Sequence, residues 1–301
     1  VFSTLRRAMG ISEEDFKQAI APEALPYLEF ISNSKSGQDF YISNDQAYFM
    51  KTERVKFVRR FLRDLLGRYL QHFLKYPHSL VVKYLGLYSL AKPGKKKVYI
   101  FTMQSIFFPQ DRIERRFDLK GCSVNRYQKP PDKNEVTIYK DQNLGDFNIE
   151  LGPQANWLST QLAYDVDFLR SLGSIDYSLL LGYQKRHDNE RDQHLVMKSP
   201  LHAPNGLTMT TLNFVNQDDM EENIAAHNLR LLPRSKNPLH TIDGPHVRYY
   251  VGVIDFFMTY GIRHRFERLL KAMLRCSCDH STREPEFYAQ RFLDSITDII
   301  R

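Results

Sequence analysis

The chain has 301 residues, and its 42 Lys and Arg against 35 Asp and Glu give a formal net charge of +7. With 42% hydrophobic and 26% charged residues it is close to the average soluble globular protein, which excludes wholesale disorder. The length suits one large domain or two modest ones, and no apolar run approaches the roughly 18 residues that indicate a membrane span, so an integral membrane protein, a coiled coil and a disulfide scaffold are not expected.

Residues 1–103 predict a small α+β lobe. Ser12 is suited to cap a helix whose first turn is acidic. Apolar residues recur at helical spacing over 54–74, and short β-prone runs bounded by turn residues lie on both sides of that helix. The predicted strands are 27–31, 39–42, 47–51, 82–90 and 97–103.

Residues 104–301 predict a larger and more mixed lobe. An amphipathic helix is expected over 157–172, strands over 177–183 and 249–254, and a last helix over 286–300. Between 185 and 245 the chain is polar and contains several prolines, and this length of weak pattern predicts an insertion or a mobile loop.

Cysteine usage does not indicate a metal site. The three cysteines are Cys122, Cys276 and Cys278. An odd number makes no disulfide framework, and the close pair near the end of the chain has no second pair at zinc-binding spacing. We therefore expect free thiols in an intracellular protein.

Positive charge is concentrated in two segments. Residues 51–76 hold eight Lys and Arg against two acidic residues, and residues 263–275 hold five against one. Each such cation near an anionic lipid surface contributes about 1 kcal/mol of attraction. A solvated helix face explains the same pattern without a partner.

The chain lacks the common phosphate-loop, dinucleotide, zinc-protease and serine-hydrolase motifs. The remaining candidates are charged residues at the ends of apolar strands. Lys51 ends the predicted strand 47–51, one strand after a Ser- and Gly-bearing turn at 34–38. A lysine placed there can reach phosphate oxygens beneath a loop of backbone amides, although an exposed strand-end lysine is the plainer explanation.

A second group of candidates lies in residues 115–126. Strand alternation predicts Asp118 and Lys120 on one face, and Gly121 permits close approach of the backbone to a ligand. Arg126 can return to the same pocket. A surface strand with a salt bridge accounts for these residues equally well.

Asp176 and Asp255 are carboxylates in strongly apolar surroundings. Burying an unpaired carboxylate is costly, so each requires a partner, a cation or a strand-end position that faces a cleft. For Asp255 a metal-ligand role and a buried salt bridge remain alternatives. The order Lys51, Asp176, Asp255 matches a kinase's phosphate lysine, substrate-facing aspartate and magnesium aspartate. The absence of H-R-D, D-F-G and A-P-E excludes an ordinary protein kinase.

At these residues the sequence resembles the phosphatidylinositol phosphate kinases. The blocks around Asp118 and Asp176 are the most specific ones, and the matches run in order along nearly the whole chain. The matching stretches are Met50-Lys51-Thr52, Phe117-Asp118-Leu119-Lys120-Gly121, Ile175-Asp176-Tyr177-Ser178-Leu179-Leu180, Val253-Ile254-Asp255 and the final 285–292.

The resemblance implies an α+β, two-lobed lipid-kinase fold, distantly related to protein kinases, with antiparallel sheets and packed helices. The nucleotide would lie between lobe 1–103 and lobe 104–301, and the cofactors would be ATP and Mg²⁺. Asp176 would face the inositol hydroxyl and Asp255 would hold Mg²⁺. The nucleotide contacts implied in this way are Lys51, Ser36, Gly37 and Met103.

The same resemblance implies the substrate. Lys120 and Arg126 would bind the phosphate already on the lipid headgroup, and Glu267 lies where type I enzymes carry Glu. The implied reaction transfers the ATP γ-phosphate to the 5-hydroxyl of phosphatidylinositol 4-phosphate. The protein is then expected to be cytoplasmic and peripheral at the cytosolic face of membranes, with that anionic lipid and no nucleic acid as partner.

Some residues depart from the family pattern. Cys122 replaces a serine of the family motif, and Gln38-Asp39 places a negative charge beside the expected phosphate loop. Arg60 aligns where active members carry the Glu that pairs with the ATP lysine, so it is expected to repel Lys51. These departures match a divergent 5-kinase-like branch of type I. They favour, as the alternative, an inactive pseudokinase scaffold that partners an active type I kinase or a second copy of itself.

Overall fold

A computed structural model describes the chain in eight ranges, which are 1–23, 28–30, 39–91, 93–94, 96–131, 136–187, 240–258 and 284–301. Within them the chain forms two five-stranded sheets with helices packed against them, and all but one of the strand pairs are antiparallel. The predicted α+β class is therefore confirmed. None of the helices in these ranges is long and apolar enough to cross a membrane.

The first sheet is built from the first third of the chain, with strand order β1-β2-β3-β5-β4. Ser12 is the N-cap of the second helix, as predicted, and its Oγ accepts a hydrogen bond from the Asp15 amide at 3.3 Å. The elements are α1 (Phe2–Ala8), α2 (Glu13–Ile20), β1 (Leu28–Phe30), β2 (Phe40–Ile42), β3 (Tyr48–Glu53), α3 (Val55–Arg60), a π-helical turn (Phe61–Leu65), α4 (Leu66–Lys75), β4 (Tyr84–Leu90) and β5 (Val98–Gln104).

The second sheet has the order β7-β6-β8-β10-β9, with β6 and β7 parallel. Its elements are β6 (Arg115–Leu119), β7 (Ile138–Lys140), α5 (Ala155–Ser171), β8 (Ser178–Lys185), β9 (Thr241–Asp243), β10 (Val247–Ile254) and α6 (Pro285–Thr297). The long helices α5 and α6 pack against each other.

An aromatic cluster joins the two sheets. Phe61, in the π-helical turn, lies edge-on to Phe101 of β5, with ring centroids 5.1 Å apart. It also contacts Phe257, which follows β10, at 5.3 Å. Tyr84 of β4 stacks on Phe257 at 5.0 Å. Aromatic pairs of this kind contribute about 0.5–1.5 kcal/mol each beyond their burial, so the segment after β10 is held firmly against the first sheet.

Backbone and buried polar contacts make a second connection between the sheets. The Val82 amide donates to the Val253 carbonyl at 2.9 Å, and the Val253 amide donates to the Leu80 carbonyl at 2.8 Å. Asp165 of α5 is fully buried and accepts from His72 of α4 and from the Leu80 amide, both at 2.7 Å. These bonds fix the position of one sheet relative to the other.

Two of the strand ends that the sequence analysis predicted wrongly concern candidate site residues. Lys51 does not end its strand, because Thr52 and Glu53 continue the pairing of β3 with β5. In the second sheet β6 ends at Leu119, so Lys120 lies after the strand, and strand alternation does not place it on one face with Asp118.

The short elements that were not predicted from the sequence include α1, β7 and β9. Strand β9 lies inside the weakly patterned stretch 185–245, so part of that stretch belongs to the second sheet. Its three residues are too few to show a strand pattern in the sequence, and β9 forms by pairing with β10. The rest of the predicted insertion, 188–239, lies outside the described residues.

Candidate functional site

A cleft of about 380 Å³ lies between the two sheets. Four of its six charged residues come from separate places: Lys51 from β3, Lys120 from the turn after β6, Asp176 from the turn before β8, and Asp255 from the turn after β10. The other lining residues are Phe40, Glu53, Arg54, Phe57, Phe257 and Met258.

Lys51 and Asp255 form an ion pair across the cleft. Lys51 Nζ lies 2.8 Å from Asp255 Oδ1 and 5.3 Å from the centre of the Phe40 ring. The Lys51 side chain is 13% exposed, whereas half of the Asp255 side chain is open to solvent. The carboxylate therefore keeps one side free to bind a cation.

Lys120 and Asp176 form a second ion pair. Lys120 Nζ lies 2.6 Å from Asp176 Oδ1 and donates to the Asp176 carbonyl at 2.9 Å. The lysine thus hydrogen-bonds to both the side chain and the backbone of the aspartate. The two pairs place two ammonium groups and two carboxylates around one cleft, which suits a phosphorylated ligand with a divalent cation.

The two aspartates of the cleft have left-handed backbone conformation. Asp176 has φ 64° and Asp255 has φ 62°. This region is uncommon for residues other than glycine, costs free energy, and is concentrated at functional sites. Aspartate is among the side chains that tolerate it best. The rest of the structure therefore holds these two side chains in place despite the unfavourable conformational energy of their backbone.

Three successive carbonyls after Asp255 are each held by a hydrogen bond. The buried Ser174 hydroxyl donates to the Phe256 carbonyl at 2.8 Å. Arg60 Nη1 donates to the Phe257 carbonyl at 3.1 Å, and the Ile175 amide donates to the Met258 carbonyl at 2.9 Å. Two of these donors immediately precede Asp176, so the two aspartate turns are linked directly.

Arg60 has a different neighbour from the one predicted. It donates to the backbone of the segment after β10, and Lys51 pairs with Asp255. Desolvation lowers the pKa of Arg60, and the nearby Asp64 opposes this shift. A partly buried guanidinium requires an acceptor, and the carbonyl of Phe257 supplies it.

Arg126 is not among the residues that line the cleft and is held by two carboxylates. Its Nε donates to Asp141 Oδ2 at 2.6 Å, and its Nη2 donates to Asp118 Oδ1 at 2.7 Å and to the Asp118 carbonyl. Desolvation acts to lower the pKa of Arg126, but Asp118 and Asp141 outweigh it and raise that pKa. Arg126 was predicted to return to the pocket of Lys120; the structure pairs it with Asp118 and Asp141 and does not place it among the residues that line the cleft.

Asp141 is a residue of this site that the sequence reasoning missed. Its Oδ1 accepts hydrogen bonds from three consecutive amides, those of Lys120 at 2.9 Å, Gly121 at 2.8 Å and Cys122 at 3.3 Å. Asp141 directly follows β7, and β7 pairs with β6, which brings it beside this turn. A carboxylate directly after a short β-prone run was the available signal.

Two further residues of the prediction, Met103 and Asp39, do not line the cleft, and others lie outside the described residues. Met103 lies inside β5, where it pairs with Phe49 and packs against the core, because β5 continues to Gln104. Asp39 is exposed and its backbone bonds to Thr52 of β3. Cys122 is a buried free thiol, as expected. Ser36, Gly37, Gln38, Glu267, Cys276, Cys278 and the basic segment 263–275 lie outside the described residues.

The donor set at the cleft suits Mg²⁺ better than a transition metal. Asp255 and Asp176 offer carboxylate oxygens, which are hard ligands, and Mg²⁺ is commonly held by one or two carboxylates plus phosphate oxygens and water. The described part of the chain contains no cluster of three or more His, Cys, Asp or Glu that would hold a metal by itself.

Comparisons with known proteins agree with this geometry. Residues 23–299 match the family model described as Phosphatidylinositol-4-phosphate 5-Kinase. The human phosphatidylinositol 4-phosphate 5-kinase-like protein 1 is 40% identical over 292 residues, which cover 96% of this chain and 71% of the human protein. The mouse protein of the same name is 36% identical over the same shares of the two chains.

Similarity extends to plants. Phosphatidylinositol 4-phosphate 5-kinase 3 of Arabidopsis thaliana is 30% identical over 320 residues, which cover 99% of this chain and 44% of the plant protein. The family match spans both sheets and every charged residue of the cleft. The chain therefore belongs to the phosphatidylinositol 4-phosphate 5-kinase family, and it resembles the 5-kinase-like members of that family.

Proposed function

We propose that this protein is a lipid kinase that transfers the γ-phosphate of ATP to the 5-hydroxyl of phosphatidylinositol 4-phosphate. The observation that carries the proposal is the cleft, in which Lys51, Lys120, Asp176 and Asp255 converge from four distant parts of the chain. Two cations and two carboxylates between two lobes are the parts that phosphoryl transfer requires, because its catalysis consists mainly of positioning and charge stabilisation.

Each side chain has a role that its position supports. Lys51 Nζ donates to a phosphate oxygen of ATP, and Asp255, half exposed, is the residue to hold Mg²⁺. The bound ion would neutralise developing charge on the phosphates. Asp176 accepts the proton of the attacking hydroxyl, and Lys120 keeps its carboxylate in place from 2.6 Å.

The choice of phosphatidylinositol 4-phosphate rests on the relatives and on the sequence pattern around Glu267. The similar plant and mammalian proteins carry that substrate in their names. The lipid lies in a membrane, so we place the protein at the cytosolic face of membranes as a peripheral protein. The basic residues of segments 51–76 and 263–275 support attraction to anionic lipid.

A second candidate function is a catalytically weak scaffold that binds and localises an active type I kinase. Two observations favour it. The first is that Arg60, an arginine, donates to the Phe257 carbonyl, beside the cleft. The second is that Lys51 and Asp255 form an ion pair at 2.8 Å, which neutralises both charges. The phosphates of ATP must compete with Asp255 for the Lys51 ammonium.

Phosphate transfer to vesicles separates the two functions. Vesicles containing phosphatidylinositol 4-phosphate, phosphatidylinositol 5-phosphate or phosphatidylinositol are incubated with radiolabelled ATP and Mg²⁺, and the lipid products are resolved. We expect label in the bisphosphate only with the 4-phosphate lipid, and a loss of about 100-fold or more in Asp255→Asn. The exposed Asp111→Asn is the matched control. Transfer no greater than that of Asp255→Asn overturns the kinase and favours the scaffold.

A further inference from the structure

Asp141 touches both of the groups assigned to the lipid headgroup without lining the cleft itself. One carboxylate oxygen holds the turn that carries Lys120, and the other holds Arg126. We propose that Asp141 is a positioning residue that sets the spacing between these two cations, and through them the distance between the headgroup phosphate and Asp176. The inference rests on the proposed function.

The first contact fixes the backbone of the Lys120 turn. Consecutive amides that point to one spot form a concave anion site of the kind that binds phosphate. Here the anion is Asp141 Oδ1, which receives the amides of Lys120, Gly121 and Cys122 at 2.9, 2.8 and 3.3 Å. Since the Lys120 ammonium bonds to Asp176, a fixed backbone at Lys120 also fixes the lysine against the aspartate.

The second contact orients the Arg126 guanidinium. Asp141 receives Nε, and Asp118 receives Nη2 through its side chain and its carbonyl. These bonds, among the described residues, use three of the five N–H groups of a planar fork and leave the two of Nη1 for a ligand. With the plane held at Nε and Nη2, the position of Nη1 is fixed as well, and this nitrogen remains to donate to a phosphate oxygen.

The charges around Arg126 distinguish this inference from the alternative that net positive charge alone attracts the phosphate. Arg126 faces two carboxylates, Asp118 and Asp141, so the trio carries a net charge of about −1. If net charge controlled the binding of a phosphate, removing the charge of Asp141 would strengthen it. If orientation of the donors controls it, the same change weakens binding. The two explanations therefore predict opposite signs.

The test uses the full chain and soluble inositol 1,4-bisphosphate, the headgroup without its lipid, titrated by calorimetry. Asp141→Asn keeps the size of the side chain but replaces one carboxylate oxygen with an NH₂ group. In one orientation the NH₂ group faces Arg126, and in the other it faces the three backbone amides. We expect the dissociation constant of the headgroup to rise about 10- to 100-fold, as for other residues that hold binding groups in place. The affinity for a non-hydrolysable ATP analogue is expected to stay unchanged.

The exposed Asp146→Asn is the control for the same chemical change. A double variant with Arg126→Lys shows whether Asp141 acts through the arginine, since coupled residues give losses smaller than the sum. Equal or tighter headgroup binding by Asp141→Asn overturns the inference. So does a parallel loss of headgroup affinity, nucleotide affinity and melting temperature, which would show a role in folding alone.

Failure of the proposed function gives a different result. In that case the unsubstituted chain binds neither headgroup nor nucleotide and transfers no phosphate. Amide hydrogen exchange then still tests the positioning contact itself. The amides of Lys120, Gly121 and Cys122 are expected to exchange slowly in the unsubstituted chain and faster in Asp141→Asn, and equal rates overturn the contact.

Discussion

The Ser174 hydroxyl donates a hydrogen bond to the carbonyl of Phe256 at 2.8 Å, and this bond joins the two turns that carry the cleft carboxylates. Ser174 lies two residues before Asp176 and Phe256 directly follows Asp255, and both side chains are fully buried. The distance between the two carboxylates thus depends on a side chain that itself never enters the cleft.

Ser174→Ala should therefore cost both stability and activity. The substitution leaves a buried carbonyl without its side-chain donor, which lowers the free energy of unfolding by about 1–3 kcal/mol. Urea denaturation measures this loss. We also expect a lower kcat for lipid phosphorylation, with the exposed Ser3→Ala as control. A Ser174→Ala protein with the stability and kcat of the control would show that the bond does not hold the two turns.

Arg60→Glu distinguishes the position observed for Arg60 from the one aligned with a catalytic glutamate. If Arg60 merely replaced an acid that should pair with Lys51, this change would raise activity. In the structure Arg60 donates to the Phe257 carbonyl, so a carboxylate there would face an oxygen and free the segment after Asp255. We expect weaker binding of a non-hydrolysable ATP analogue with Mg²⁺, measured by calorimetry.

The neighbouring residue provides the control for that experiment. Arg59→Glu makes the same change of charge on an exposed position of α3. Nucleotide affinity should be reduced in Arg60→Glu relative to Arg59→Glu. A gain of nucleotide affinity or of phosphate transfer in Arg60→Glu would contradict the structural role and support the alignment.

The sequence predicted much of the local structure because that structure has simple periodicity. The apolar spacing over 54–74 gave the helical region, and the capping pattern at Ser12 gave the start of α2. It did not indicate the π-helical turn at Phe61–Leu65, which interrupts the helix within an unbroken apolar pattern. That turn brings Phe61 into contact with rings from both sheets, and such contacts are decided by tertiary packing.

Four charged residues of the cleft could be predicted from the sequence, whereas their pairings could not. Lys51, Lys120, Asp176 and Asp255 could be singled out as charges beside apolar strands, and the structure brings them to one cleft. Which cation faces which carboxylate depends on strand order. Asp141 reaches the Lys120 turn only because β7 pairs in parallel with β6 across an intervening loop, and nothing local in the sequence specifies that pairing.

Gly121→Ala tests how closely the Lys120 turn approaches α6. Gly121 has φ +63°, and a Cβ there would lie 3.0 Å from Phe292 Cα and 3.1 Å from the Arg291 carbonyl oxygen. Left-handed backbone and a contact with rigid helix backbone together lower the free energy of unfolding by about 2–4 kcal/mol. Gly67→Ala is the control, because nothing lies within 4 Å of a Cβ there.

The two glycine variants should shift stability in opposite directions. Gly67 is inside α4, where alanine is favoured over glycine by roughly 0.8–1.0 kcal/mol. Thermal unfolding should therefore show a lower midpoint for Gly121→Ala and an equal or higher one for Gly67→Ala. A Gly121→Ala protein as stable as the unsubstituted chain would mean that the turn can move away from α6.

Lys83 gives the folded chain a specific dependence on pH. It is fully buried just before β4, and desolvation lowers its pKa from 10.5 to about 7, although Asp165 opposes the shift. Its ammonium donates to the Ser79 carbonyl and lies over the ring of Phe73 at 5.1 Å. His240, which is also buried, has a pKa well below its usual value, first because of desolvation and then because of Lys83.

The sign of this dependence follows from proton binding. Between pH 7 and 10.5 the unfolded chain keeps the Lys83 proton while the folded chain releases it, so stability rises with pH by up to about 1.4 kcal/mol per unit. Below pH 7 both states hold the proton and Lys83 contributes no further slope. His240 acts only below its ordinary pKa of 6.5, where acid destabilises the folded state.

Lys83→Met should remove the slope between pH 7 and pH 9 and raise stability at pH 7, because an apolar side chain pays no desolvation cost there. Urea denaturation at several pH values in this window measures it. Buried tyrosines such as Tyr84, whose pKa burial raises, act in the opposite direction only near pH 10 and above. The exposed Lys17→Met is the control and should keep the slope. An equal slope in Lys83→Met would show that Lys83 stays protonated in the folded chain.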